Sequence, residues 1–280
     1  CGFDASLFHD DDGRKWFVQM QWDYRPGRHP FNGILLQEYC TRKKQLVGKI
    51  KNIFKGTDLR VTEAPHLYKR NGYYYLLTAE GGTGYTHAMT MARSKNIDGP
   101  YELDPIKHML SSKENPDLLL QRSGHGDWVE TQNGEIYIVH LSGRPLNLHS
   151  NTDIKRCPHG RETAIQKGFW SEDGWLRIAN GSNQPDFQTP DPDLPEHPWP
   201  EVPSKTVFDC DKRPLDFQWL RSECDESLFT LKDRPGFLRL YGHESVGSWF
   251  RQSLIARRQQ AFCFTATTKV EFEPDSIQQQ

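Results

Sequence analysis

The chain has no long apolar run. Hydrophobic residues make up 35% of its 280 positions, and no stretch reaches the length of about 20 that crosses a bilayer as a helix. An excess of one charge is also missing. The formal net charge is −2, so no strong electrostatic pull toward nucleic acid or a membrane surface is expected. Cysteine is sparse: Cys1, Cys40, Cys157, Cys210, Cys224 and Cys263 are scattered without metal-ligand spacing and are too few for a disulfide scaffold. They read as mostly free thiols, which favours an intracellular protein. No signal peptide is visible. A chain that begins with Cys has been processed or cut, so a fragment is expected and secretion stays open.

What the chain does have is aromatic residues, at 12%, and a recurring turn. Asp12-Gly13, Asn71-Gly72, Asn133-Gly134 and Asp173-Gly174 each precede a run of aromatic and β-branched residues. Those runs are Lys15-Trp16-Phe17-Val18, Tyr73 to Leu77, Ile136 to Val139 and Trp175 to Ile178. Asn-Gly and Asp-Gly are strong hairpin signals, because both turn positions tolerate positive φ. The turn glycines are 59, 62 and 40 residues apart. Such spacing is long for one hairpin and fits one multi-stranded blade per repeat, hence an all-β propeller. The alternative is another large antiparallel β protein with several good hairpins.

Residues 182–205 hold seven prolines, from Pro185 to Pro203, among many acidic residues. That density prevents helix and central strand and predicts an extended linker. Beyond it, Phe217 to Leu220, Phe237 to Leu240 and Ala261 to Thr267 read as short strands of a second all-β domain. Some 75 residues are few for a β-sandwich, so this domain is expected to be incomplete. The organisation predicted is a propeller over 1–181, a linker over 182–205 and a sandwich over 206–280.

Two acidic motifs carry the chemistry. Glu63 follows Thr62 and precedes Ala64-Pro65, and Asp4 lies in Gly2-Phe3-Asp4-Ala5-Ser6. A carboxylate among small and apolar residues is desolvated, which raises its pKa as a general acid requires. A second carboxylate nearby adds like-charge repulsion. The competing readings are a surface Glu at a strand start and a capping Asp.

The stretch EAPHLYKRNGYYYLLTAEGG, Glu63 to Gly82, together with the Asp4 motif, resembles glycoside hydrolase family 43, in its two-domain β-xylosidase and α-L-arabinofuranosidase branch. Similar motifs cover nearly all 280 residues. They include Ser123-Gly124-His125-Gly126-Asp127-Trp128, Gly160-Arg161-Glu162-Thr163-Ala164, Arg234 to Leu240 and Phe250 to Ser253. The resemblance implies a five-bladed β-propeller whose first blade is missing here, the four repeats plus one absent blade making five, followed by the start of a β-sandwich. It implies Glu63 as general acid and Asp4 as the residue that orients it and modulates its pKa. Inverting hydrolysis also needs a base, which the family carries in an Asp-Pro-Ser context. That motif is absent, the surroundings of Asp117 do not match, and the general base is expected outside this chain.

By the same resemblance, Trp22, Thr83, His125 and Arg161 contact the substrate. His125 would lie in the central channel, where it could also meet a divalent cation such as Ca²⁺ through water. No cofactor is expected to be required. The implied activity is exo-acting, inverting release of xylose from the non-reducing ends of β-1,4-xylo-oligosaccharides, with α-L-arabinofuranosidase side activity. Alternatives are a dominant arabinofuranosidase and a non-catalytic sugar-binding propeller. The partner expected is the oligosaccharide, with neither nucleic acid nor membrane, and self-association through the sandwich is open. The 280 residues alone are expected to be inactive and poorly soluble, within a polypeptide longer at both ends.

Overall fold

Three of the four turn dipeptides open a sheet. The computed structural model describes residues 2–146, 156–221, 223, 225–245 and 247–276, and these form strands and turns without a helix. Cys1 and Cys224 lie outside the described residues, while Cys40, Cys157, Cys210 and Cys263 are free thiols. Two units are present, Cys1–Leu194 and Pro195–Gln280.

The first unit contains twelve strands: β1 (Ser6–His9), β2 (Lys15–Trp22), β3 (Phe31–Cys40), β4 (Gln45–Phe54), β5 (Glu63–Arg70), β6 (Tyr73–Glu80), β7 (Ala88–Ser94), β8 (Glu102–Ser111), β9 (Gln121–Glu130), β10 (Ile136–Gly143), β11 (Glu162–Trp170) and β12 (Leu176–Ile178). They form three four-stranded sheets in simple chain order, β1 to β4, β5 to β8 and β9 to β12, and every pairing is antiparallel. Asp12-Gly13, Asn71-Gly72 and Asn133-Gly134 each join the first two strands of a sheet. Asp173-Gly174 instead joins β11 to β12, the outer hairpin of the third sheet. The expectation of one blade per turn repeat therefore fails at the fourth repeat. An outer hairpin accepts the same tight turn as an inner one, and the shorter interval of 40 residues was its mark.

The sheets share cores rather than owning them. Strand β6 is buried on both faces from Tyr75 to Glu80. Leu76 packs with Val18, Met20, Ile34 and Leu36 of the first sheet. Tyr75 and Leu77 face the other way, into Ile136, Ile138, Trp175 and Leu176 of the third. Period-2 alternation feeding two cores explains why this strand reads as an unbroken apolar run. Polar pairs tie the same sheets together. Asp10 accepts from Lys69 and Tyr74, both at 2.8 Å, and Arg177 makes a two-pronged pair with buried Asp104 at 2.6 and 2.9 Å.

Strands β1, β5 and β9 are each the free first edge of their sheet, and β5 meets both of the others. Ser6 Oγ donates to Pro65 O at 2.6 Å. Tyr68 donates to Asp127, and Arg70 pairs with Glu130 at 3.1 Å. Pro65 sits within β5, a position open to proline because β5 is an edge.

The segment read as a linker is extended, but its first part is fastened to the first unit. Asp186 exchanges two hydrogen bonds with the Gln166 side chain, each of 2.9 Å. Lys167 N donates to Thr189 Oγ1 at 2.9 Å, and Tyr137 donates to Pro190 O at 3.0 Å.

In the second unit, β13 (Phe217–Gln218) pairs with β16 (Ala256–Arg257), and β14 (Phe229–Thr230) with β15 (Arg239–Leu240). Leu228, Phe229 and Leu231 are buried there. The strand expected over Ala261 to Thr267 does not form, because no described strand lies alongside to complete its hydrogen-bond ladder. Phe264, Val270 and Phe272 stay exposed.

Candidate active site

In each sheet the first strand begins where the second ends. The connection between second and third strands therefore falls beside the start of the first. Asp4 precedes β1, Glu63 opens β5, and His125 lies in the first half of β9. Trp22 ends β2, Thr83 follows β6, and Arg161 immediately precedes β11. Each sheet thus places one residue at or near the start of its first strand and one at or beside its second connection, at the same end.

Local irregularity aims the residues of the first strands. Asp4, Ala64 and His125 have φ of 52°, 50° and 47°, left-handed values uncommon for non-glycine residues and concentrated at functional sites. Register slips mark the same places. Ala64-Pro65 oppose a single residue between the Glu63↔Ala79 and His66↔Leu77 pairs. His125 is the extra residue between the Gly126↔His140 and Gly124↔Leu141 pairs. Bulges of this kind re-aim a side chain out of the ladder. The flanking glycines are required by space. A Cβ on Gly124 would lie 2.5 Å from His87 Cδ2, and one on Gly126 would lie 2.2 Å from Val139 O.

Electrostatics tie the group together. Glu63 is half-buried, and its pKa is pushed up from 4.5 to about 7, first by burial and then by the charge of Asp4, with Arg161 opposing. Burial holds His125 below the usual imidazole range; Asp4 opposes that, while Arg161 and His66 reinforce it. Asp4 and Arg161 are themselves exposed. Asp4 is the one carboxylate among the described residues that acts on Glu63. Asp117 lies on an exposed turn, its N–H held by Asn115 at 3.1 Å.

Trp22 packs on Phe31 at 5.0 Å between ring centroids and on Phe3, the neighbour of Asp4, at 5.9 Å. It packs against the edge of the first core. Thr83 is exposed in the loop between β6 and β7, and no described contact ties it to the carboxylates. Among the described residues, no three His, Cys, Asp or Glu side chains form a group that could hold a metal ion. A Ca²⁺ shell needs 6–8 oxygen ligands. The donors here do not fit direct metal ligation.

His66, Glu80 and His87 went unnoticed in the sequence. His87 is fully buried, and burial lowers its pKa to about 4. Its Nδ1–H donates to Glu80 O at 3.2 Å, which leaves Nε2 as a buried lone pair without a described partner. Nothing in the run His87-Ala88-Met89 signals this, because its neighbours arrive from other strands.

The profile of glycosyl hydrolases family 43 matches residues 1–176. That of a β-xylosidase C-terminal concanavalin A-like domain matches residues 205–280. Xylosidase/arabinosidase 43B of Humicola insolens is 51% identical over 288 residues, covering 99% of this chain and 50% of that protein. A β-xylosidase of Bacillus subtilis (strain 168) is 46% identical over 285 residues, covering 99% and 52%. The crystal structure of xylan β-1,4-xylosidase from Bacillus halodurans C-125 superposes with a TM-score of 0.89 at 57% identity, covering 93% of this chain and 49% of that one. The chain spans about half the length of the relatives it matches. Fold and profile matches together define an all-β, propeller-type glycoside hydrolase domain followed by a concanavalin A-like β-sandwich domain. The chain belongs to glycosyl hydrolase family 43.

Proposed function

We propose that the polypeptide containing this chain is an exo-acting, inverting glycoside hydrolase. It releases xylose from the non-reducing ends of β-1,4-xylo-oligosaccharides and cleaves α-L-arabinofuranosides as a side activity. The observation that carries this reading is Glu63, whose pKa of about 7 beside Asp4 keeps it substantially protonated near neutrality. A protonated carboxyl donates its proton to the glycosidic oxygen as the bond to the anomeric carbon breaks. Asp4 sustains that protonation by repulsion. Arg161, which has no ion-pair partner among the described residues, donates hydrogen bonds to sugar hydroxyls. Trp22 offers an aromatic face to the pyranose, Thr83 lines the rim, and His125 hydrogen-bonds at the base of the pocket.

Inversion also requires a base about 6.5–9.5 Å from the acid, on the opposite face of the sugar, to activate water. We assign it to residues outside this chain. A five-bladed ring would need two four-stranded sheets besides the three described. A cation in the channel would meet His125 only through water.

Proton NMR of xylobiose hydrolysis by the full-length polypeptide tests the reading. The α-anomer of xylose should appear first. First appearance of the β-anomer, or no hydrolysis, would overturn it. The 280-residue chain alone should be inactive in the same assay, and the ratio of rates on aryl xyloside and aryl arabinofuranoside ranks the two activities.

A further inference from the structure

Behind the strand that carries Glu63 lies a polar cluster with no part in the chemistry just described. Glu80, the last residue of β6, is fully buried. Its Oε1 accepts from the Thr57 N–H and the Thr62 hydroxyl, both at 2.7 Å. Its Oε2 accepts from the Thr57 hydroxyl at 2.7 Å and the Thr90 hydroxyl at 2.8 Å. Thr90 has one hydrogen, given to Glu80, so at 3.0 Å it accepts from His108 Nδ1–H. The carboxylate thus draws together the segment before β5, the first residue upstream of Glu63, and strands β7 and β8.

The segment it holds is strained. Arg60, Val61 and Ala64 have φ of 62°, 53° and 50°. Three left-handed non-glycine residues within five persist only where the surroundings over-determine them. Gly81 N–H donates to Arg60 O at 2.9 Å, which closes the segment from the other side. The main chain of Glu80 serves the site as well. Its carbonyl receives His87 Nδ1–H, and the His87 ring abuts Gly124, the neighbour of His125.

We infer that Glu80 is a positioning residue: through Thr62 it locks the strained entry to β5 so that the Glu63 carboxyl points at the glycosidic oxygen, and through His87 it braces the strand that carries His125. The inference rests on the reading of Glu63 as general acid. Misplacing a catalytic group by an ångström costs up to about a hundredfold in rate. The loss should appear where proton donation matters and vanish where it does not.

The test uses the full-length polypeptide with Thr62→Ala, Thr62→Ser and Glu80→Gln. Turnover and KM are measured on xylobiose and on an aryl xyloside with a nitrophenolate leaving group, together with thermal melting. Thr62→Ala and Glu80→Gln should each lower kcat on xylobiose by about tenfold or more. On the aryl xyloside they should lower it by less than about threefold, since that leaving group needs little protonation. KM should stay nearly constant, and Thr62→Ser, which restores the hydroxyl, should recover most of the loss. Equal losses on both substrates, or a change in KM or melting temperature alone, would mean that the cluster is merely structural and would overturn the inference. Glu63→Gln, run in parallel, separates the two layers. If it lacks the leaving-group pattern, the assignment of the acid fails and this inference with it. If Glu63→Gln shows the pattern and the Thr62 and Glu80 variants do not, the positioning role alone fails. Should Thr62→Ala not fold, Glu80→Gln decides.

Discussion

Neutralising Asp4 and neutralising Arg161 should move the alkaline limb of the pH–rate profile in opposite directions. That limb tracks loss of the proton from the general acid, and Glu63 holds its proton up to about 7. Burial is the largest cause, the charge of Asp4 adds to it, and Arg161 subtracts. Asp4→Asn keeps the shape and deletes the repulsion. Burial remains, so the Glu63 pKa should fall on the order of one pH unit and stop above 4.5. At pH 7 the protonated fraction would then drop from about one half to about one tenth, a roughly fivefold loss in kcat/KM. Below pH 5 the limb shift should cost almost nothing, and any residual loss there measures the orienting role of Asp4. Arg161→Gln removes an opposing positive charge, so its limb should move to higher pH even though sugar binding weakens. The assay is kcat/KM on xylobiose from pH 4.5 to 9 at constant ionic strength. Limbs that stay fixed, or that move the same way in both variants, would refute the electrostatic account of Glu63.

Glu63→Gln should stabilise the fold above pH 7 and lose that advantage in acid. The folded chain binds the Glu63 proton at about 7 against 4.5 in the unfolded state, so the stability linked to this group is complete below 4.5 and is lost as pH rises through 7. The gain for the glutamine variant at pH 8 is bounded at about 3 kcal/mol and reduced by the water that reaches a half-buried carboxylate; melting curves at pH 5 and 8 with equal differences would contradict it. Gly124→Ala drives a Cβ to within 2.5 Å of His87 Cδ2 and 2.8 Å of Ala88 N; calorimetry should record a loss of about 1–3 kcal/mol, and an unchanged melting temperature would show that the strand gives way freely. Asp104→Ala strands the Arg177 guanidinium, which is 17% exposed, and should cost about 3–5 kcal/mol by denaturant titration. Replacing Asp104 and Arg177 together by apolar residues should recover most of that loss.

Hairpins were legible because Asn-Gly and Asp-Gly act locally, and the strands after Gly13, Gly72, Gly134 and Gly174 formed where they were expected. The sheet count was not legible. Gly174 uses the same turn chemistry at a different place in its sheet, and only the shortened interval distinguishes it. The run Ala261 to Thr267 has strand composition, but a strand exists only with a ladder partner, which composition cannot supply. Glu63 and Asp4 stood out by their apolar and small neighbours. Glu80 and His87 did not, because their surroundings are assembled from Thr57 and Thr62 in the segment before β5, Thr90 on β7 and Gly124 on β9. The bulges at Ala64-Pro65 and His125 were equally hidden, since a two-against-one pairing leaves no trace in the alternation of a single strand.

The split between first strands and second connections has an evolutionary consequence. Asp4, Glu63 and His125 lie at or near the starts of first strands, whereas Trp22, Thr83 and Arg161 flank the connections between second and third strands. On the proposed function, insertions between β2 and β3 or between β6 and β7 would reshape the surroundings of the sugar without disturbing Asp4 and Glu63. Substrate preference on such a scaffold can drift quickly while the acid stays tuned. The connection before β11 is the exception. Arg161 bears on Glu63 and is the residue proposed above to hold the sugar, so changes there should alter selectivity and pH optimum together. A library diversified at the first two connections should yield specificity variants with a common pH profile; one diversified around Arg161 should not.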